Sequence, residues 1–367
     1  MLFLSNHDVE SVLDMPSCIR AMEDAYADLV NSRAGYRPRI DFYVPQDAPD
    51  PYYRWGTMEG TSRRLGVFAI RMKSDMLVWN REGEFPTEEK YCIQPGTWCG
   101  LIFLLSTHNG EPLAIMNDGI LQHMRVGACA GLGAKYLARP DARSIGLLGS
   151  GGMARTYATA FCAVRPIERI KVFSPTPENR RRFAEEMTEK LGVEIIPVNS
   201  AEEAARGVDL LAAVTDSLVP VLKPHLLEPG MHVTNVRGNE VGHDLLPHLG
   251  LMVRLGTPTL PATDPLPSTF HGSDGMFAYC AGTLEEMELV PKAATRVQDR
   301  EGVANLPDII AGRAAGRTSP DQITFLNNQG TQGLQFAAVG AVAYERARER
   351  GLGRTIPTEW FLQDIRD

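Results

Sequence analysis

No stretch of the sequence approaches the roughly 20 consecutive apolar residues of a membrane span, so no membrane partner is expected. The opening residues, Met1-Leu-Phe-Leu-Ser-Asn-His-Asp8, lack the basic segment and apolar core of a secretory signal, which points to the cytoplasm. Positive charge is in short supply. The 37 Lys and Arg against 45 Asp and Glu leave a net charge of −8, which argues against nucleic acid as a partner. None of the six cysteines has a partner at C-x-x-C spacing, and His243 and His248 have no third ligand nearby. Neither a disulfide framework nor a metal site is expected, and buried free thiols fit a reducing compartment. Internal repeats and low-complexity segments are absent too. What is left is a 367-residue chain, 44% hydrophobic, long enough to bury two cores and organised as a soluble enzyme would be.

The strongest positive signal is Arg143-Ser-Ile-Gly-Leu-Leu-Gly-Ser-Gly-Gly-Met-Ala154, an apolar strand running into a glycine-rich turn and a helix. Gly149-x-Gly151-x-x-Ala154 is a dinucleotide-binding fingerprint in its proper setting. The first glycine allows the tight turn, the second lets backbone approach a pyrophosphate, and the small third residue lets helix pack on strand. A second strand at Arg169–Ser174 arrives where a Rossmann unit requires it. Between residues 141 and 255 strands at Ser144–Leu148, Ile170–Ser174, Glu194–Val198, Leu210–Val214, His232–Val236 and Leu251–Arg254 alternate with helices at Ala154–Val164, Pro177–Leu191 and Ser200–Arg206. That rhythm predicts a parallel sheet wound on both faces.

Before it, the apolar spacing predicts one helix over Val9–Asn31 and a Pro-rich loop from Arg37 to Pro51. Strands are expected at Tyr52–Met58, Gly66–Lys73, Thr97–Ser106 and Leu113–Asn117, and a small-residue helix over Ile120–Leu137. Gly131-Leu-Gly133 follows no strand and is rejected as a second nucleotide loop. After residue 257 come Pro/Gly-rich loops with short helices at Leu284–Val290 and Asn305–Arg313, then a strand at Ile323–Leu326 and a helix over Leu334–Arg350.

Two sets of residues carry chemistry. At the end of the second Rossmann strand, where an NAD-specific fold places a carboxylate, the chain has Ser174-Pro-Thr176 followed by Arg180, Arg181 and Arg182. Hydroxyls and an arginine there favour a 2′-phosphate, so NADP is expected, with NAD as the alternative. The second set is basic: Arg37, Arg39, Arg54, Arg71, Lys73 and Arg125. Arg71 and Lys73 share one face of a strand. Arg125 stands in a helix of small and apolar residues and either pairs with a buried carboxylate of the protein or awaits an anionic ligand.

Over nearly its full length the chain resembles the ornithine cyclodeaminase/μ-crystallin family. The matching features are the strand ending in Lys73, Gly96-Thr97, Asn109-Gly110-Glu-Pro-Leu-Ala114, Arg125, Ala134-x-Tyr-Leu-Ala-Arg-Pro140, the Gly149 fingerprint and Leu227-Glu-Pro-Gly-Met-His-Val233. Asn327-Asn-Gln-Gly330 and Ile356-Pro-Thr-Glu-Trp-Phe361 resemble its longer members. The resemblance implies an α/β fold: a Rossmann doubly wound parallel sheet at 139–320 plus a discontinuous α+β substrate and dimerisation domain at 1–138 and 321–367. It implies a homodimer acting on a small imino or amino acid. Arg39, Lys73 and Arg125 would hold the substrate carboxylate, with Thr97 nearby, and Arg54 and Arg71 of the basic set are further substrate-binding candidates. Gly149, Ser150, Gly151, Gly152, Met153 and Ala154 would cradle the pyrophosphate, Ser174, Thr176 and Arg180 the adenosine ribose, and Thr215, Ser217 and Val236 the nicotinamide side.

One departure bears on the reaction. Cyclodeaminases place an aspartate shortly after the fifth Rossmann strand, and this chain has Val236-Arg-Gly-Asn239-Glu240 there. An amide cannot act as a general base, which tells against ornithine deamination. Arg237 is a candidate second anchor for an acidic substrate. The leading expectation is an NAD(P)-dependent imine (ketimine) reductase or amino acid dehydrogenase, with Lys73, Arg125 and Asn239 as the catalytic positions. Lys73 is the proton donor, its pKa lowered by surrounding arginines, with Glu59 or Glu240 as second choices. The alternatives are a redox-neutral ornithine cyclodeaminase with bound NAD, and an NADPH-dependent binding protein without turnover. Loops at Asp41–Tyr53, Met76–Tyr91 and Thr257–Gly275 are expected to set side-chain selectivity.

Overall fold

The computed structural model describes residues 1–47, 51–81, 86–256, 269–270, 277–280, 282–291 and 302–364. The chain opens with β1 (Leu2–Leu4), α1 (Asn6–Val12) and α2 (Met15–Val30). It continues through β2 (Ala34–Tyr36), β3 (Ile40–Pro45), β4 (Tyr52–Ser62), β5 (Val67–Asn80), β6 (Thr87–Tyr91), β7 (Cys99–Ser106), β8 (Pro112–Asn117) and α3 (Gly119–Leu137). Then come β9 (Ser144–Leu148), α4 (Gly152–Val164), β10 (Arg169–Phe173), α5 (Pro177–Leu191), β11 (Glu194–Pro197), α6 (Ala201–Ala205), β12 (Leu210–Ala213), β13 (His232–Asn235) and β14 (Leu251–Arg254). The last part holds β15 (Thr269–Phe270), β16 (Phe277–Cys280), α7 (Leu284–Leu289), β17 (Ala304–Asn305), α8 (Leu306–Ile310), β18 (Thr324–Asn327), α9 (Gln332–Glu349) and β19 (Arg354–Thr355).

These elements form two sheets. The parallel one runs β11-β10-β9-β12-β13-β18-β14-β17. Its central strands are buried almost throughout, as strands covered on both faces must be; β9 and β12 are largely apolar, whereas β13 and β18 also bury His232, Thr234, Asn235, Thr324 and Asn327. The other runs β15-β16-β3-β4-β5-β7-β8-β1-β19, with β2 on β4 and β6 on β5. This sheet is antiparallel except where β1 pairs with β8 and β16 with β3, and burial alternates most regularly along the 14 residues of β5 and along β7 and β8. Two strands cross the boundaries read from sequence. β18, expected in the discontinuous unit, lies in the parallel sheet between β13 and β14. β16, expected in the Rossmann unit, pairs in parallel with β3. Short strands carry no periodic signal that would reveal which sheet they join.

The expected helix over Val9–Asn31 is two helices. Asp14 caps α2 by accepting from the Ser17 N–H at 2.8 Å, and Pro16 occupies the first turn, so the chain restarts there. The expected loop at 37–51 contains β3, whose Ile-Asp-Phe-Tyr-Val alternates in burial across its pairing with β4. The Asp41–Tyr53 and Met76–Tyr91 segments are thus largely strand, and most of 257–275 falls outside the described residues.

α9, with α1 and α2 beside it, covers one face of this antiparallel sheet, and α3 packs on α2 and α9. α3 also packs on α4: a Cβ on Gly127 would lie 2.8 Å from Thr156 Cβ, and one on Gly131 would lie 3.2 Å from Ala160 Cβ. The glycines of α3 are therefore packing residues, and α3 joins the two sheets. The opposite face of the antiparallel sheet presents Phe42, Trp55, Ile70, Met72, Leu101 and Phe103, half-buried or exposed. No helix among the described residues is long and apolar enough to cross a membrane, and none of their His, Cys, Asp and Glu form a group able to hold a metal.

Candidate active site

Between the carboxyl ends of β9, β12 and β13 and the helix-covered face of the antiparallel sheet lies a cavity of about 630 Å³. This is where ligands enter open α/β sheets, at the strand ends. Arg54, Arg71 and Lys73 from β4 and β5, Arg125 from α3, and Met153 and Val236 from the parallel unit all line it.

The period of β5 puts Arg71, Lys73 and Asp75 on the cavity face. Lys73 Nζ lies 3.4 Å from Asp75 Oδ2 and 3.7 Å from Asp41 Oδ1. Arg39 grips Asp41 with two nitrogens at 3.0 and 2.9 Å. Arg54 donates to Asp75 at 3.1 Å, and Arg71 to Asp118 at 2.7 Å. Burial, reinforced by Arg39 and Arg54, holds the Lys73 ammonium well below the usual lysine range against the pull of Asp41 and Asp75. The arginines expected to cause that lowering contribute to it, but burial is the larger cause.

Arg125 differs from the rest. Its Nη1 donates to Gln335 Oε1 at 2.7 Å, its Nη2 to Gln122 Oε1 at 2.9 Å, and its guanidinium stacks over Phe336 at 4.8 Å. No carboxylate among the described residues pairs with it, whereas Arg39, Arg54, Arg71, Lys73, Lys90 and Arg237 each lie within salt-bridge distance of one. Burial, with Arg71 and Arg39 nearby, brings Arg125 down to about 10. Its side-chain hydrogen-bond partners among the described residues are neutral amides.

On the dinucleotide side, Gly149 has φ +113, and a Cβ there would lie 2.4 Å from Val214 O, so the turn admits glycine only. A Cβ on Gly151 would meet nothing within 4 Å, which leaves open space in front of the turn. Gly151 caps α4 without any side-chain hydrogen bond, so the first-turn N–H groups are open to a ligand. These features fit a dinucleotide pyrophosphate. Ser150 Oγ donates to Ser174 Oγ at 2.9 Å, and Arg180 donates to Ser174 O and Asn199 Oδ1, both at 2.8 Å. Thr176 precedes α5 and is exposed. Arg181 and Arg182 pair with Glu178 and Glu186 on the helix surface.

Not every expected residue reaches the cavity. Thr97 sits on an exposed turn, its hydroxyl donating to Gln94 O at 2.8 Å and to Cys92 O. Ser217 is buried and donates to Val219 O at 2.8 Å. Asn239 is buried off the cavity. Glu240 accepts from the Thr215, Val236 and Arg237 N–H groups and from the Thr215 hydroxyl, and so ties together the loops after β12 and β13. Glu59 takes two bonds from Arg37. Arg237, expected as a second anchor, does line the cavity, but its guanidinium is engaged there, donating to Glu88 at 3.1 Å and to Asp216 O and so joining the two sheets. Asp75, Gln122 and His123 are lining residues that sequence reasoning missed. Following the alternation of β5 two residues past Lys73 would have found Asp75, whereas nothing in the spacing of α3 marks His123.

Residues 85–351 match the model of the ornithine cyclodeaminase/mu-crystallin family. The chain is 30% identical over 264 residues to a Delta(1)-pyrroline-2-carboxylate reductase of Bacillus cereus, covering 70% of this chain and 74% of that one. Among solved structures it is similar to the Delta(1)-pyrroline-2-carboxylate reductase of Thermococcus litoralis in complex with NADH and L-proline, with TM-score 0.74, 26% identity, and 97% and 100% of the two chains covered. The fold also recurs in an archaeal alanine dehydrogenase dimer with bound NAD, with TM-score 0.71, 24% identity, and 97% and 98% covered. With the family model spanning most of its length, the chain belongs to the ornithine cyclodeaminase/mu-crystallin family.

Proposed function

We propose that the protein is an NAD(P)-dependent oxidoreductase that reduces the C=N bond of a cyclic imino acid bearing one carboxylate, of the kind for which its Bacillus cereus relative is named. The observation that carries this reading is Arg125, the lining cation without a carboxylate partner, in the same cavity as Lys73 and the mouth of the glycine-rich turn. One uncompensated buried cation suits one carboxylate. A second carboxylate would have to displace an acid already paired.

A nicotinamide dinucleotide held by the glycine-rich turn would supply the hydride. Arg125 fixes the substrate by its carboxylate, and Met153, Thr215 and Val236 form the wall on the dinucleotide side. Holding the C=N carbon in one orientation lowers the barrier by several kcal/mol, on the order of what positioning contributes elsewhere. Lys73 Nζ gives its proton to the imine nitrogen, which is the better hydride acceptor once protonated. A lysine whose pKa is lowered by burial releases that proton more readily than an exposed one. Asp41 and Asp75 keep the ammonium in place beforehand.

The Ser174 and Arg180 side chains and the lack of a carboxylate at the end of β10 favour NADPH, although the two solved relatives named above carry NADH and NAD. The apolar outer face of the antiparallel sheet favours a dimer built across it.

The test follows NADPH and NADH consumption against Δ1-pyrroline-2-carboxylate, its six-membered homologue, and 2-oxo acids with ammonia. Consumption with a cyclic imine is the expected result. Ammonia release from ornithine without net cofactor change would assign cyclodeaminase chemistry instead. Retained dinucleotide without turnover on any imine would leave a binding protein.

A further inference from the structure

His123 lies in the cavity wall where α3 meets the glycine-rich turn. A Cβ on Gly152 would sit 2.8 Å from its Nε2 and 3.0 Å from its Cε1, so the ring rests against the first residue of α4, beside the open N–H groups. Glycine at 152 is what lets an imidazole come that close. The charged groups facing the ring are Asp118 at the head of α3, Arg125 on α3 and Arg155 on α4. Asp118 is held by Arg71 at 2.7 Å, and Arg155 by Glu186 at 3.0 Å while donating to Ser150 O at 2.8 Å. Burial, then the two arginines, holds the imidazole below the usual histidine range against Asp118. In the protein alone the ring is therefore neutral near pH 7.

An anion docked on the N-terminus of α4 reverses that balance, since negative charge beside an imidazole favours its protonated form and an imidazolium makes the stronger hydrogen bond. We propose that His123 is a ligand of the dinucleotide phosphate and takes up a proton as the phosphate docks. The inference rests on reading Gly149–Ala154 as the dinucleotide cradle. It adds a basic group from α3, the helix that also carries Arg125. Cofactor occupancy then sets the charge beside the substrate anchor.

The experiment is calorimetric titration with NADPH and NADH at pH 7 in buffers of different ionisation enthalpy, repeated with His123→Gln. Net uptake approaching about one proton per site is expected for the native protein between the free and bound pKa values. His123→Gln should bind without uptake, several-fold more weakly at pH 6.5 and equally at pH 9. Proton NMR titration of the native protein's histidines, with and without dinucleotide, reads the same event without a mutation: one imidazole pKa rises on binding. Binding without uptake, or uptake undiminished in His123→Gln, overturns the role of His123. Failure of the native protein to bind either dinucleotide overturns the cradle itself.

Discussion

Lys73 Nζ lies 3.7 Å from Asp41 Oδ1 although the two residues belong to strands that are not neighbours. β4 runs between β3 and β5, and Gly56 is in register with both residues. A Cβ at position 56 would lie 2.3 Å from Asp41 Oδ1 and 2.9 Å from Lys73 Cε. Missing one side chain, the middle strand lets an acid and a base meet across a gap of two strand spacings, roughly 10 Å between backbones. Gly56→Ala should push Lys73 aside. Activity on a cyclic imine should fall by on the order of 10² with dinucleotide affinity intact, since a small misplacement of a reacting group costs about that much. Steady-state rates and a dinucleotide titration check it.

The anchor is tested from behind. Gln335→Glu puts a carboxylate against the Arg125 guanidinium and neutralises it, so KM for the imino acid should rise at least about tenfold. Dinucleotide affinity should stay unchanged. Arg125→Lys keeps the charge but loses the planar fork, and should raise KM as well.

Lys73→Met removes the proton donor, and hydride transfer in a single turnover should slow by about 10² to 10⁴. An unchanged single-turnover rate with weakened substrate binding would make Lys73 an anchor instead. The pH profile has a definite sign. The donor must be protonated, so the rate falls as pH rises through the folded pKa of Lys73, and this limb lies well below the usual lysine range because burial lowers that pKa.

His232 on β13 is fully buried. Its Nδ1 is 3.0 Å from Thr324 Oγ1, and burial lowers its pKa from 6.5 to about 3. The unfolded chain binds this proton below pH 6.5 and the folded one only near pH 3, so its contribution to stability is full above 6.5 and is lost as pH falls. The gap corresponds to about 5 kcal/mol at pH 3. His232→Leu should flatten that part of the acid limb in denaturant melts recorded from pH 7 to 4.

Phe103 pairs across β7 and β5 with Ile70 on the outer sheet face. Phe103→Lys should convert the expected dimer to monomer, with a dissociation constant raised at least about 30-fold. Sedimentation velocity reads the change.

In the first turn of α5, Arg180→Ala should shift the NADPH-to-NADH preference toward NADH by about tenfold through loss of a charge-assisted bond. Paired Kd measurements check it.

The parallel unit was legible because its strands and its turn obey local rules: apolar runs, then Gly149-x-Gly151-x-x-Ala154, then an Ala-rich helix. The basic cluster was legible in part, since a period of two puts Arg71 and Lys73 together, and a lone arginine in α3 stands out. The acids that neutralise these cations were not legible. Asp41 lies on a strand whose flanking prolines disguised it as loop, and Asp118 comes to Arg71 only through tertiary folding. Thr97 and Ser217 look like ligands in sequence, but their hydroxyls are consumed by their own turns.

The insertion of β18 sets an order of events in synthesis. β13 and β14 do not touch as strands; each pairs with β18, which follows the end of β14 by 70 positions (324 − 254). The sheet edge beside β13 therefore stays open on the ribosome until residues 324–327 have emerged. The nucleotide-binding unit cannot be completed by an N-terminal fragment, and it closes late, with the same segment that brings α9 and Gln335 up to Arg125.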